Sequence, residues 1–267
     1  MESDPAQNSD QAFHSYGAAI TSESQMNGYD VTSKEDNGEM LRGSSEPTEQ
    51  KDIAAVLAPH NIINIHQHLD VIEVCLCWER NNRYSIYGKD EKQILYTYEG
   101  AQCVARQWYG SLRELTLTTT DNDDNRLLRL DRPLRCSTRM CYACCCLQEM
   151  TISIPPNNTL GRVKERWNCI IPWYEVEDSQ GNLMFSLQGT ACHCRLCCDI
   201  KFSVRNAAGD QVASIQKYWG GCKGIIGACN SYTIKYLDAL SGQEKAVVLG
   251  ATFLLDFNYF ERHGKCF

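Results

Sequence analysis

The chain has 267 residues, of which 43% are hydrophobic and 22% charged, enough for a domain with a substantial core. Sixteen cysteines make up about 6% of the chain, which is below the roughly 8 to 10% typical of short disulfide-linked secreted scaffolds. The net charge of −7 lacks the basic excess of a protein whose main partner is nucleic acid.

The acidic charge is concentrated in the first 52 residues, which hold eleven acidic and three basic side chains. These residues are rich in Ser, Glu, Asp, Asn and Gly, and they have too little apolar surface to offset the entropy of ordering. We predict a disordered acidic tail over residues 1–52. The start, MESDPAQNSDQAF, has no basic region followed by an apolar run, so we expect a reducing compartment with free, metal-bound or acylated thiols.

The folded part begins with a short helix and a strand within residues 53–75, judged from the spacing of their apolar residues around Pro59. Beyond Trp78, five segments show alternating apolar residues on both sides of a polar turn. These predicted β-hairpins cover residues 83–99, 115–130, 173–189, 200–219 and 232–250. Two of them are followed by a cysteine-rich connection and a further strand, which indicates an internally duplicated all-β sandwich or barrel.

Near the C-terminus, residues 246–260 form an apolar run that contains Asp256. As a helix it would be about 22 Å long, against a bilayer core of about 30 Å. An unpaired carboxylate in lipid would cost about 2.5 to 3.5 kcal/mol. We therefore expect a helix or strand enclosed by the sheet, and the alternative is a single-pass membrane anchor.

The densest cysteine cluster, CYACCC, has three interpretations. Its CxxC pair, together with Cys194 and Cys197, makes a four-thiolate zinc site formally available. The thiols could instead be small buried side chains, or acceptors for fatty acyl chains, of which several are needed for stable anchoring. Acylation fits the arginines that precede the cluster, because they would approach anionic headgroups: Arg126, Arg129, Arg132, Arg135 and Arg139.

Several of these segments together resemble the phospholipid scramblase family. They are RPLRC (132–136), CCLQEM (145–150), the Pro155-Pro156 pair followed by Gly161, and KAVVLGATFLLDFNYFE (245–261), within a match over about residues 60–263. The resemblance implies a tubby-like fold over residues 53–267, with a closed twelve-stranded antiparallel barrel around a buried apolar C-terminal helix. The helix would bury Val247, Leu249, Phe253, Leu254, Leu255 and Phe257.

The resemblance also implies a function, which is calcium-activated, ATP-independent movement of phospholipids in both directions between the membrane leaflets. It implies palmitate on Cys141, Cys144, Cys145 and Cys146, and from the charge pattern before this cluster we expect Arg129, Arg132, Arg135 and Arg139 to face anionic lipids. The expected location is the cytoplasmic face of the plasma membrane, with a cytoplasmic or nuclear pool, and the expected partners are a phospholipid membrane and a second copy of the chain. The alternatives are a lipid-binding adaptor and a zinc- or thiol-dependent regulator. No G-x-S-x-G elbow, P-loop or recognisable pair of catalytic carboxylates favours an enzyme.

The expected calcium site departs from the family pattern. An acidic loop precedes the terminal helix in the family, whereas the corresponding stretch here, residues 228–238, has a single acid. Its oxygen ligands would come from Asn230, Ser231, Thr233 and Asp238. Because calcium affinity depends on the number of charged ligands, we expect weak or no binding there.

Overall fold

A computed structural model describes residues 51–68, 81–100, 114–135, 147–168, 170–190, 200–218 and 231–260, apart from the side chains of 259 and 260. These ranges contain the helices α1 (Ile53–Leu57) and α2 (Gly242–Leu255), and a π-helical turn over Asp256–Phe260 continues α2. They also contain twelve strands: β1 (Ile62–His68), β2 (Arg83–Tyr87), β3 (Gln93–Glu99), β4 (Leu115–Thr120), β5 (Arg126–Arg132), β6 (Glu149–Ile154), β7 (Asn158–Arg166), β8 (Trp173–Asp178), β9 (Leu183–Gly189), β10 (Ile200–Asn206), β11 (Gln211–Tyr218) and β12 (Ser231–Tyr236).

The twelve strands form a closed barrel in which each strand lies antiparallel to the next one along the chain. The barrel closes at β1, where Ile65 is opposite both Ile86 of β2 and Tyr232 of β12. Closure leaves no unpaired sheet edge. The prediction of a closed twelve-stranded antiparallel barrel around a C-terminal helix is confirmed.

Four of the five predicted hairpins are present as β2–β3, β4–β5, β8–β9 and β10–β11. Apolar and polar residues alternate along these strands because every second side chain points into the barrel. Side-chain hydrogen bonds make two of the turns: the carboxylate of Asp121 accepts from the N–H groups of Asp123 and Asn125, and that of Asp178 accepts from Gln180 and Asn182. The Asp and Asn signals in the sequence therefore identified real turns.

The fifth predicted hairpin, residues 232–250, is wrong in its second half. Strand β12 ends at Tyr236, and α2 begins six residues later. The helix start is specified by a capping box, in which the Ser241 hydroxyl accepts from the N–H of Glu244 at 3.3 Å and the Glu244 carboxylate accepts from the N–H of Ser241 at 2.8 Å. A further hairpin, β6–β7, was not predicted, because its turn contains Pro155 and Pro156 instead of Asp or Gly.

The core of the barrel is filled by α2. Twelve of its fourteen residues are buried, since the barrel wall surrounds the helix on all sides. The approach is close at Gly250, where an added Cβ would lie 2.6 Å from Cδ1 of Ile152. The apolar run is thus enclosed by the sheet, and Val247, Leu249, Phe253, Leu254, Leu255 and Phe257 are each at most 1% exposed.

Hydrogen bonds from the Lys245 side chain join the end of helix α1 to the start of α2. The buried Lys245 ammonium donates to the carbonyl oxygens of Leu57, Ala58 and His60 at 3.4, 2.6 and 3.0 Å, and to Oδ1 of Asn61 at 3.3 Å. It thereby satisfies carbonyl groups at the end of α1 that have no partner within the helix.

Candidate functional site

The two ends of the barrel differ in how the strands are connected. At one, the hairpin end, tight turns of residues 88–92, 121–125, 155–157, 179–182 and 207–210 join the strands. At the other, the loop end, the chain leaves the strands at His68, Glu99, Arg132, Arg166, Gly189 and Tyr218. Fifteen of the sixteen cysteines occur in the sequence between strand ends of the loop end, so this end is the candidate functional site.

The predicted acylation sites Cys141, Cys144, Cys145 and Cys146 lie outside the described residues, but both flanks of their segment are described. Arg135 donates to the Leu147 carbonyl oxygen at 3.1 Å and to the Glu149 carboxylate at 2.5 Å. The Gln148 amide donates back to the Arg135 carbonyl oxygen at 2.8 Å. The chain entering the cysteine-rich segment and the chain leaving it are therefore held together at the loop end.

The structure corrects one of the arginines predicted to face the membrane. Arg132 is 1% exposed, and its guanidinium lies 5.2 Å from the centre of the Phe257 ring inside the barrel. The reason is strand parity: Leu128, Leu130 and Arg132 alternate along β5, so all three point inward. A cation over an aromatic face is a favourable arrangement when it is withdrawn from water.

The other predicted arginines have different environments. Arg129 lies on the outer face and pairs with the Asp131 carboxylate at 2.8 Å. Arg135 is part-buried and pairs with Glu149. Arg139 lies outside the described residues. The two described pairs cancel much of the charge that these arginines would present to anionic headgroups.

Beside Arg132, the loop end has an inward-facing set of polar residues that we call the polar collar: Gln67, Glu99, Arg132, Glu165 and Lys217. Four members of the collar are at most 6% exposed. Asn82 joins two of them, since its side chain accepts from the Gln67 amide at 2.8 Å and donates to the Glu99 carboxylate at 3.0 Å. The collar terminates the apolar core: Gln67, Glu99 and Glu165 have hydrogen-bonding partners, and Arg132 and Lys217 lie against aromatic rings.

The collar was not predicted, although a signal for it exists in the sequence. Each member is the last or next-to-last residue of a strand that runs toward the loop end, and each occupies a position of inward parity, as Gln67 does after Ile63 and Ile65. Continuing the parity to the last residue of each strand would have found the collar.

The end of α2 meets the loop end at Asp256, which is 1% exposed. Its carboxylate accepts hydrogen bonds from the hydroxyl of Tyr84, at 2.6 Å, and from the hydroxyl of Tyr232. The Lys217 ammonium lies 5.7 Å from the centre of the Tyr232 ring. Burial raises the pKa of Asp256, against the opposing influence of Lys217 and of both hydroxyls. The carboxyl group is therefore buried inside the protein, where it has hydrogen-bonding partners. This agrees with the expectation that an unpaired carboxylate at this position would be unfavourable in lipid.

The three predicted calcium ligands that the structure describes, Ser231, Thr233 and Asp238, do not converge on one point. Ser231 contacts Nδ1 of His66 at 3.0 Å, and the Thr233 hydroxyl donates to Asn64 at 2.8 Å. Asp238 follows the opposite end of β12 from Ser231, a separation of about 17 Å along a strand of this length. Asn230 lies outside the described residues. Ser231 and Asp238 are therefore too far apart to bind one calcium ion, and the described part of the chain has no group of three His, Cys, Asp or Glu side chains placed to hold a metal.

Within the described ranges, no helix combines the length and the apolar character needed to cross a membrane.

Comparisons with known proteins give consistent matches. A family model described as Scramblase matches residues 43–262. Phospholipid scramblase 2 of Bos taurus is 33% identical over 74% of this chain, and phospholipid scramblase 1 of Mus musculus is 32% identical over 78%. Phospholipid scramblase 1 of Homo sapiens is 31% identical over 76%. The matches cover 67%, 63% and 64% of the lengths of these relatives, respectively. No solved structure matches the chain.

Proposed function

This chain belongs to the scramblase family, and from that premise we propose that it moves phospholipids in both directions between the leaflets of a membrane without ATP. The observation that carries the proposal is the family match over residues 43–262, together with curated relatives that bear the name phospholipid scramblase. Because the chain spans about two thirds of those relatives, the proposed activity is tested on this chain itself.

We further propose that palmitate on Cys141, Cys144, Cys145 and Cys146 holds the loop end on the cytoplasmic face of the plasma membrane. One acyl chain binds a bilayer only marginally, whereas several anchor stably. The hydrogen bonds of Arg135 and Gln148 support this role, because they fix both flanks of the cysteine-rich segment to the barrel. We expect a weak preference for anionic lipids, since Arg129 and Arg135 pair with acids.

The lipid path does not run through the barrel. Helix α2 fills the interior, and the described wall packs directly against it, as Ile152 does against Gly250. A phospholipid in transit would have to displace the core of the protein. Transport therefore takes place on the outside of the barrel, between copies of the chain or in a locally perturbed bilayer. The filled interior also favours a second function, that of a lipid-binding adaptor without transport.

A flip assay separates the two functions. The full chain, acylated in cells and reconstituted into vesicles with fluorescent phosphatidylcholine, should accelerate the loss of inner-leaflet fluorescence on addition of a membrane-impermeant reductant. A matched protein with all four cysteines changed to Ser should have lost its hydroxylamine-labile acyl groups and should be retained on cell membranes less strongly than the wild type. Retention without any acceleration of lipid movement would support the adaptor and reject transport.

Calcium is titrated in the same assay. The separation of Ser231 from Asp238 leads us to expect little change in the rate of lipid movement up to millimolar calcium. A steep dependence on calcium would mean that the ion binds elsewhere in the chain.

A further inference from the structure

Large apolar side chains are exposed mainly at one end of the barrel. The described residues include six of them, and four belong to the loop end: Leu134 at 43%, Trp167 at 46%, Ile170 at 67% and Tyr218 at 41% exposed. Leu183 and Leu237, at 44% and 61%, belong to the hairpin end. Among the described residues, both ends thus have exposed large apolar side chains, but only the loop end has exposed aromatic ones, Trp167 and Tyr218, beside aliphatic ones.

Three of the loop-end side chains, Leu134, Trp167 and Ile170, form what we call the apolar arc. Leu134 follows β5, whereas Trp167 and Ile170 lie between β7 and β8. The ends of β5 and β7 are separated by one strand, which corresponds to about 10 Å around the rim. The arc therefore borders the point where the flanks of the cysteine-rich segment leave the barrel.

The arc is held in its exposed position by hydrogen bonds. Oδ1 of Asn168 accepts from the N–H groups of Ile170 and Ile171 at 2.9 and 3.0 Å. The next residue, Pro172, accepts from the N–H of Gly189 at 2.9 Å, and an added Cβ at Gly189 would lie 2.5 Å from Cγ of Pro172. Because this loop is fixed against β9, less conformational entropy is lost when Trp167 and Ile170 bind than would be lost from a free loop.

The charges beside the arc are paired within the chain. Arg166 contacts Glu175 at 2.7 Å and Glu177 at 3.3 Å, and Lys164 contacts Glu177 at 2.6 Å. This arrangement offers little net field to attract nucleic acid or an acidic peptide. Trp beside Ile and Leu is instead the combination that partitions into the boundary between lipid headgroups and acyl chains.

We propose that the apolar arc inserts into the interfacial layer of a zwitterionic phospholipid bilayer and so orients the barrel with its loop end toward the membrane. The inference deepens the proposed function, on which it rests for the presence of a membrane. It assigns a contact that needs neither acyl chains nor anionic lipid. The hairpin end, with α1 and the tight turns, then faces away from the bilayer.

The test uses the unacylated full chain, purified from bacteria, and phosphatidylcholine vesicles in a sedimentation assay. A double variant with Trp167→Ser and Ile170→Ser should bind at least about tenfold more weakly than the wild type, since each removes a large apolar group from the interface. The matched control carries Leu183→Ser and Leu237→Ser at the hairpin end and should bind within about twofold of the wild type. Equal thermal midpoints would show that all three proteins are folded.

Two further measurements separate the outcomes. Raising the salt to about 0.5 M should leave wild-type binding unchanged, because the contact is apolar. Brominated lipid should quench the fluorescence of Trp167, which is the part of the wild-type tryptophan emission that is missing from the Trp167→Phe variant. The inference is overturned if the unacylated wild type does not bind or if both double variants bind alike. Arc-dependent binding without lipid movement would reject the proposed transport and leave the inference standing.

Discussion

At the scale of the residue, Asp256 should make the fold less stable as pH rises. Burial raises the pKa of this carboxyl above its ordinary value of 3.8, with Lys217 and the hydroxyls of Tyr232 and Tyr84 opposing the shift. The folded state therefore favours the protonated form. The stability that this contributes is complete below the unfolded pKa and is lost as the pH rises through the folded pKa.

Asp256→Asn tests this dependence, because an amide can still accept from one tyrosine and donate to the other but cannot ionise. We expect its thermal midpoint at about pH 7.5 to equal or exceed that of the wild type, and its midpoint to change less between about pH 4 and pH 8. Thermal unfolding followed by circular dichroism measures both. Parallel pH profiles for variant and wild type would contradict the assignment.

Asp178 provides the control with the opposite sign. Hydrogen bonds from the side chain and backbone of Asn182 lower the pKa of this exposed carboxylate. Its contribution is therefore present above the unfolded pKa and lost as the pH falls through the folded pKa. Asp178→Asn should reduce the change of the thermal midpoint with pH in the acidic range, where Asp256→Asn has its smallest effect.

At the scale of the element, Gly242 determines how α1 and α2 pack. A Cβ at this position would lie 2.0 Å from the carbonyl oxygen of Ala54, a backbone atom that cannot rotate away. We expect Gly242→Ala to destabilise the protein by at least about 2 kcal/mol, even though Ala is the better helix former. Gln243→Ala, on the exposed side of the same turn, should stay within about 0.5 kcal/mol of the wild type. Urea denaturation at unchanged m-value gives both numbers, and equal midpoints would show that the helices are not in contact.

The sequence correctly predicted whether a segment is a helix or a strand wherever its local residue pattern and its tertiary contacts favour the same structure. Alternation and Asp- or Asn-based turns identified four hairpins, since the barrel gives every strand one buried face. The prediction of a strand over residues 242–250 was wrong because an apolar run is compatible with a buried helix as well as with a strand. The capping box of Ser241 and Glu244, which favours the helix, was not used to decide between them. The inward direction of Arg132 follows from its parity with Leu128 and Leu130, whereas the ring that it contacts, Phe257, is distant in sequence and gives no local signal.

At the scale of the whole molecule, the helix at the centre of the barrel determines how the protein can act on a membrane. If α2 left the barrel to enter lipid, its own apolar surface would stay out of water, but the inner wall would not. Ile65, Ile152 and Val163 are fully buried against the core, and exposing such side chains costs about 1.5 to 3 kcal/mol each. Summed over the wall, this cost exceeds the stability of a typical domain, so the barrel should stay closed on the membrane.

Hydrogen exchange measured by mass spectrometry on free and vesicle-bound protein tests this conclusion. Peptides from β5, β6 and β7 should exchange equally slowly in both states, because their strand pairing and their contact with α2 are retained. New protection should be confined to the loop end, and among the described residues it is expected at 167, 168 and 170–172. The double variant with Leu183→Ser and Leu237→Ser should give the same pattern as the wild type. Faster exchange in β5–β7 on vesicle binding would mean that the barrel opens and that α2 exchanges its protein surroundings for lipid.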